Sequence, residues 1–373
     1  MVVEKDGRGR PRYPTIKDVA ALAEVSWSTV SNVIHDHPYV RPQTKTRVQA
    51  AIAELGYRPS SIGRQLRRGR SDVLALAVPE IQAPYFAHLA HAVIVAAERR
   101  GFAVLIDETG GSIERERTVA QGYLNRGIEG IIFSPLRMEL AEIIALRQDT
   151  PMVLLGEHVR YGHMMDHVAI DNVAAAREAT DHLLSLGRQK IAFMGYQPQG
   201  PTGTGDLRLE GYRQSLAAAG ITEDPDLILE SPTYTREEGE ARAQLLLTRL
   251  DSIDAIVCGN DLLAIGIMHC FRRNGVEVPD DVALVGWDNT PDGAYSRPTL
   301  TTVAPNLPLI AREAVKSLLA RIADPSLPAA ETTLGHRLLV RESTGSPRAH
   351  PQDGAEEQAG AGSVPPESGS RGS

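Results

Sequence analysis

From residue 71 onward, apolar runs of strand length alternate with amphipathic helical patterns, and this alternation limits the fold more than any other feature of the chain. VLALAV precedes a helical stretch at 84–100, FAVLI precedes 113–125, GIIFS precedes 138–148, and MVLLG closes the series. A second series follows: HVAID with a helix to Leu186, KIAFMG with a helix over 207–219, LILES with a helix to Leu250, AIVCGN with a helix to Asn274, and then VALVGWDN. Continuous apolar strands separated by such helices imply parallel sheets covered on both faces. About ten units exceed one sheet of ordinary size. Two sheets are therefore expected, with a break near residues 166–172. A late strand, LTTVAPN, and a hairpin-like ETTLGHRLLVRES complete the body.

Ahead of this body, residues 15–66 have a different period. Thr15 is placed to cap a helix whose first turn holds Asp18, and Ile16, Val19, Ala20 and Ala23 share its inner face. Glu24-Val25-Ser26 interrupts the pattern. Ser26 then caps a second helix from Trp27 to Ile34, with Val30, Val33 and Ile34 inward and Trp27, Ser28, Ser31 and Asn32 outward. Two short helices joined by a tight turn, the second with a polar outer face, read as a helix-turn-helix. A third helix starts at Pro42 and stops at Gly56. Tyr57-Arg58-Pro59 breaks the chain, and residues 60–66 are too few to form a stable helix alone.

Charge separates along the same line. Residues 1–70 hold 13 of the 39 Lys+Arg and 6 of the 47 Asp+Glu, a balance of +7 against −15 for the remainder. A basic head on an acidic body points to a polyanionic partner confined to the head. The polar N-terminus has no apolar signal core, no run is long enough for a membrane helix, and Cys258 and Cys270 have no motif spacing. These features lead us to expect a cytoplasmic protein with no membrane partner.

The run DVAALAEVSWSTVSNVI, the run VRPQTKTRVQAAIAELGYRP and the following RQL resemble the DNA-binding head of the LacI/GalR repressor family. The likeness includes the helix order, the turn and the Gly-Tyr-x-Pro exit. It implies that Trp27, Ser28 and Asn32 face the major groove, while Ser26, Thr29, Ser31, Thr44 and Tyr57 meet phosphates, with Thr15 at the first helix start also on the DNA side. Asn32 offers a donor and an acceptor to an adenine edge. Trp27 either contacts a thymine methyl or packs on the helix pair. Leu66 is the residue that would wedge between base steps, with Arg64 supplying phosphate charge beside it. Glu24 stands where the family has glycine, and a left-handed conformation there costs roughly 1–2 kcal/mol.

The body resembles the periplasmic-binding-protein-type effector domain of the same family. That likeness implies two lobes joined by three crossovers, near residues 172, 290 and 303, with a ligand between them at the strand ends. Residues with polar tips at those ends are the candidates, and by resemblance Arg208, Asn260 and Asp288 line the cleft. Asn260 also suits a helix cap. Tyr85 and Phe86 either stack on an apolar ligand face or pack in the core. Gly156 stands where the family carries a ligand-binding aspartate, and Pro305 replaces a polar residue, so two familiar hydrogen-bonding groups are missing.

Other chemistries fare less well. Residues 200–205, GPTGTG, have neither phosphate-loop spacing, and a cleft loop is the better reading. His158, His163 and His167 lack the spacing of a closed metal site, and GxSxG and HExxH are absent from the sequence. No cofactor, metal or catalytic residue is expected.

The organisation expected is a leader over 1–14, a DNA-binding domain over 15–58, a hinge over 59–70, a two-lobed α/β effector and dimerisation domain over 71–343, and a tail over 344–373. The function expected is a homodimeric repressor of operator DNA controlled by a carbohydrate effector. A sugar-binding transport component and a carbohydrate-modifying enzyme are the alternatives.

Overall fold

A computed structural model describes residues 14–34, 36–57, 71–123, 127–156, 164–197 and 203–345. The candidates Arg64 and Leu66 lie outside the described residues. The chain divides into two compact units, Met1–Asp72 and Val73–Ser373.

In the first unit, α1 (Ile16–Leu22), α2 (Trp27–Ile34) and α3 (Pro42–Leu55) enclose a small core of Val19, Ala20, Ala23, Val30, Val33, Val48 and Ala51. Reciprocal bonds start α1: Thr15 N–H donates to Asp18 Oδ2 at 2.7 Å, and Asp18 N–H donates to Thr15 Oγ1 at 3.4 Å. This arrangement satisfies two of the donors a helix start leaves open. Gly56 ends α3 in the left-handed region at φ 61°, where glycine has no Cβ penalty. Glu24 occupies the turn at φ 50°, so the turn keeps its left-handed backbone without the residue that adopts it most easily.

The second unit runs β1 (Val73–Val78), α4 (Pro84–Glu98), β2 (Ala103–Glu108), α5 (Ile113–Ala120), β3 (Gly130–Phe133), α6 (Leu140–Leu146), β4 (Met152–Leu155) and β5 (Asp166–Ile170). It continues α7 (Asn172–Ser185), β6 (Ile191–Tyr196), α8 (Thr204–Ala218), β7 (Ile228–Glu230), α9 (Arg236–Leu246), β8 (Ala255–Cys258), α10 (Asp261–Arg273) and β9 (Ala283–Trp287). Then come α11 (Pro291–Tyr295), β10 (Thr301–Pro305), α12 (Leu307–Ala323), β11 (Glu331–Leu334) and β12 (His336–Leu339). Two six-stranded sheets result, ordered β11-β5-β4-β3-β1-β2 and β12-β10-β9-β8-β6-β7. Every described pairing is parallel except β10 with β12. The expected α/β body of two lobes with parallel sheets is what forms.

Three expectations need correction. The chain passes between sheets after β5, after β10 and at Gly335, so the crossovers lie near 171, 306 and 335 and none lies at 290. Residue 290 instead starts the short α11 within the second lobe. ETTLGHRLL is no hairpin: β11 pairs with β5 in one sheet and β12 with β10 in the other, because Gly335 is a passage between lobes. The body also extends past residue 343. Thr344 is fully buried, and its Oγ1 lies 3.0 Å from Thr301 Oγ1 and 3.0 Å from His182 Nε2, so it belongs to the second lobe and not to a tail.

Helix pairs on the second lobe approach closely through glycine. A Cβ on Gly266 of α10 would stand 2.0 Å from the Arg236 carbonyl oxygen of α9, and one on Gly239 of α9 would stand 2.3 Å from the Leu263 carbonyl oxygen of α10. Helix propensity alone favours alanine at such positions by about 1 kcal/mol. Contact with a neighbouring backbone reverses the sign. Gly266→Ala is expected to destabilise the protein by about 2 kcal/mol, read as a lower urea midpoint. A midpoint at or above wild type would show that the helices can separate without loss.

Candidate DNA-reading face and effector cavity

On α2 the inward positions Val30 and Val33 are buried, so the opposite face is fixed outward by helical geometry. Trp27 is 57% exposed, and Ser28 and Asn32 are exposed beside it. Trp27 therefore does not fill the head core. Ser26 organises the start of the helix: its Oγ accepts from Thr29 N–H at 3.2 Å and lies 2.7 Å from Ser28 Oγ and 2.8 Å from Thr29 Oγ1. Tyr57 packs against the head core, and Thr44 and Ser31 are half-buried. The outward face of α2 presents an indole, a hydroxyl and a carboxamide. Such a face matches the donors, acceptors and methyl groups of a major groove.

In the second unit the two lobes meet around a cavity of about 20 Å³, room for roughly one water molecule. Tyr85, at the start of α4, and Arg208, on α8, both border it, as do Gly156 and Pro305. Leu155, Val168, Ile170 and Ile310 supply apolar wall. Phe86 meets Tyr85 edge-on at 5.0 Å between ring centroids but does not border the cavity.

Arg208 is 6% exposed. Its Nε donates to Asn172 Oδ1 at 2.9 Å, its Nη1 donates to the Gly259 carbonyl, and its guanidinium lies 3.8 Å from the Trp287 ring centroid. Asn172 stands at the first crossover, so the guanidinium is held by the hinge, by the end of β8 and by the end of β9. Asn260 is used differently. Its Oδ1 accepts from Leu263 N–H at 2.9 Å and its Nδ2 donates to the Tyr234 carbonyl at 3.2 Å, which makes it the cap of α10. Asp288 follows β9 at φ 100° and its N–H donates to the Val303 carbonyl at 2.8 Å. It is not among the residues bordering the cavity.

Trp287 and Asn172 escaped sequence reasoning. A tryptophan ending an apolar strand reads as core, and Trp287 is indeed 1% exposed; only the stacked guanidinium reveals its second role. Asn172 reads as the first residue of a helix.

At the start of α10, Asp261 ties three segments together. Its Oδ1 accepts from Thr302 Oγ1 at 2.7 Å, and its Oδ2 accepts from Thr290 N–H at 2.6 Å and from Thr290 Oγ1 at 3.1 Å. Burial disfavours the charged form and pushes its pKa up from 3.8 to about 6, against the lowering effect of these donors. A raised folded-state pKa means that this group stabilises the fold fully below about pH 4 and loses that contribution as pH rises through about 6. The difference is about 3 kcal/mol. The melting temperature of wild type minus that of Asp261→Asn is expected to fall between pH 4 and pH 7; a flat difference would place the proton elsewhere.

The family described as bacterial regulatory proteins, lacI family, matches residues 15–60, and a periplasmic binding protein-like domain matches residues 180–344. HTH-type transcriptional regulator CelR of Thermobifida fusca is 33% identical over 352 residues, which is 90% of this chain and 99% of that protein. A solved LacI-family transcriptional regulator from Sanguibacter keddieii is 40% identical with a TM-score of 0.69, covering 74% of this chain and all of that one (100%). The structure of a CelR–cellobiose complex is 32% identical with a TM-score of 0.67, covering 88% of this chain and 99% of that one. A head with an outward-facing second helix, a two-lobed body with a cavity between its sheets, and likeness along nearly the whole chain lead to one conclusion: the chain belongs to the lacI family of bacterial regulatory proteins.

Proposed function

We propose that this chain is a homodimeric, cytoplasmic repressor that binds a near-palindromic operator through its head and releases or tightens it when a carbohydrate occupies the cavity between the lobes. The observation that carries this reading is the exposed Trp27–Ser28–Asn32 face on a helix whose other side is locked into the head core. Carbohydrate is the effector class supported by the CelR–cellobiose complex. DNA as partner, together with two buried free cysteines, supports a reducing cytoplasm. No helix among the described residues is long and apolar enough to cross a membrane.

A second copy of the chain is supported by β2. It ends one sheet, and its Leu105 and Ile106 are 42% and 41% exposed. An edge strand with apolar side chains open to water is a surface that soluble proteins cover. Coupling between cavity and head would then be a difference in effector affinity between two arrangements of the dimer, typically about 1–3 kcal/mol.

Fluorescence anisotropy on DNA from the chain's own upstream region tests the reading. Asn32→Ala is expected to weaken specific binding by roughly 5- to 150-fold, the worth of about 1–3 kcal/mol for a lost bidentate base contact, and to leave binding to unrelated DNA unchanged. Equal specific affinity for wild type and variant would remove Asn32 from the reading face. Equal affinity of wild type for specific and unrelated DNA would overturn the repressor reading itself.

A further inference from the structure

Two consecutive residues other than glycine stand in the left-handed region directly after β9: Asp288 at φ 100° and Asn289 at φ 52°. Such a pair persists only where the surrounding contacts over-determine it. Here the backbone is fixed at each step. Asp288 N–H donates to the Val303 carbonyl at 2.8 Å, Asn289 N–H to Thr302 Oγ1 at 3.2 Å, and Thr290 N–H to Asp261 Oδ2 at 2.6 Å. Thr302 Oγ1 in turn donates to Asp261 Oδ1 at 2.7 Å, so the turn, β10 and the start of α10 share one hydrogen-bonded frame.

The side chain of Asn289 is held from a fourth segment. Arg341 Nη2 donates to Asn289 Oδ1 at 2.7 Å, and Nη1 donates to the Leu300 carbonyl at 2.8 Å. One planar fork thus spans acceptors on two segments, which a lysine ammonium does not reproduce. Arg341 is itself anchored. Its N–H donates to Thr301 Oγ1 at 2.8 Å, and two residues on, Ser343 Oγ donates to the Leu284 carbonyl at 2.6 Å and accepts from Thr301 N–H at 2.8 Å. The segment after β12 is therefore bonded to β9 and β10, and it carries the guanidinium to the turn.

The turn sets the position of Trp287, the last residue of β9. That indole borders the cavity and lies 3.8 Å, at its centroid, from the Arg208 guanidinium. A turn that relaxes to right-handed backbone redirects the chain immediately behind this ring.

We infer that Arg341 is a positioning residue of the effector site: through Asn289 it holds the left-handed turn that keeps Trp287 in the cavity wall, although it is not one of the residues bordering the cavity. The inference rests on reading the cavity as the effector site, and it adds a residue that maintains one wall of that site from the end of the second lobe.

Trp27 and Trp287 are the two tryptophans of the chain, so a full-length Trp27→Phe protein reports Trp287 fluorescence alone. In that background Arg341→Met is expected to raise acrylamide quenching of Trp287 at least about twofold, well below the melting transition, as local opening would. A role in stability alone would lower the melting temperature and leave quenching of the folded protein unchanged, and that result overturns the inference. Cellobiose and ribose are then titrated by calorimetry into the chain retaining Trp27. Whichever binds wild type is expected to bind Arg341→Met at least about 10-fold less tightly, the worth of one hydrogen bond from a charged group, with effector-free binding to the upstream DNA unchanged. The Arg341→Met, Asn289→Gly double variant should lose no more than Arg341→Met alone, because both changes remove one tie and glycine is at ease in the left-handed region. Additive losses would place the effect of Arg341 elsewhere and overturn the inference. If Arg341→Met does not fold, Asn289→Gly carries the quenching and titration tests by itself. Equal sugar affinity in wild type and variant overturns the inference and leaves the carbohydrate reading standing. Binding of neither sugar by wild type counts against the carbohydrate reading, and the quenching result then decides the inference.

Discussion

Replacing Glu116 by alanine is expected to destabilise the body by about 4 kcal/mol, although this residue touches neither DNA nor the cavity. Glu116 lies on α5 and is fully buried. Its two carboxylate oxygens accept from three consecutive backbone N–H groups: Leu136 at 2.7 Å, Arg137 at 2.9 Å and Met138 at 2.9 Å. The segment bearing those groups leaves β3, leads into α6 and belongs to neither. The carboxylate serves as its template. Each hydrogen bond to a charged acceptor contributes about 1.5 kcal/mol or more, and alanine removes all three while leaving the Met138 N–H buried. The first unfolding transition should drop by roughly 10 °C. Glu116→Gln should recover part of this, because one amide atom still accepts while the other turns a donor toward a donor. A Glu116→Ala protein melting within a degree of wild type would mean that the segment holds itself.

Glu116 also shows where sequence reasoning stops. In IERERTVA it is one of four charged residues at the start of a helix, and a solvated face is the ordinary reading of such a run. Nothing local marks it as the one turned inward. The same holds for Gly266, which reads as a weak point in a helix until α9 is placed against it. Features that depend on one segment were legible. The strand–helix alternation announced the parallel sheets, the Thr15–Asp18 pair announced its cap, and Gly56 announced the end of α3. Features that need two distant segments were not. Gly335 looked like the turn of a hairpin because β-rich runs on either side of a glycine pair locally more often than not. It is a passage between lobes because β5 and β10 each leave an edge for one run. At the cavity, Arg208 was named through the family resemblance, and it borders the cavity between the lobes. Trp287 was missed because its chemistry appears only when Arg208 lies on it.

Breaking the pair between Arg321 and Asp166 is expected to cost a similar amount, and with a functional consequence. Arg321, near the end of α12, donates from Nε to Asp166 Oδ2 at 2.9 Å and from Nη2 to Oδ1 at 3.0 Å. The side chains are 11% and 4% exposed. The guanidinium also donates to the carbonyls of Pro325, at 3.1 Å, of Leu327, and of Pro328, at 3.1 Å, while Asp166 Oδ1 accepts from Ala330 N–H at 2.9 Å. The segment joining α12 to β11 is thus wrapped around one ion pair, and the carboxylate raises the Arg321 pKa by its hydrogen bonds and its charge. Surface pairs such as Lys316 with Glu313 contribute little and fade in salt; this one is shielded. Asp166→Ala strands a buried cation and is expected to cost about 4 kcal/mol. The Asp166→Ala, Arg321→Met double variant should lose less than the sum of the single changes, since removing both charges removes the stranded one. Equal single and additive double losses in urea melts would show that the two residues act independently. The functional consequence follows from position. β11 leads directly into Gly335, the third passage between the lobes. Loosening its anchor loosens a hinge strand, so Asp166→Ala should reduce the change in operator affinity produced by effector while leaving the Asn32 face, and hence effector-free operator binding, intact.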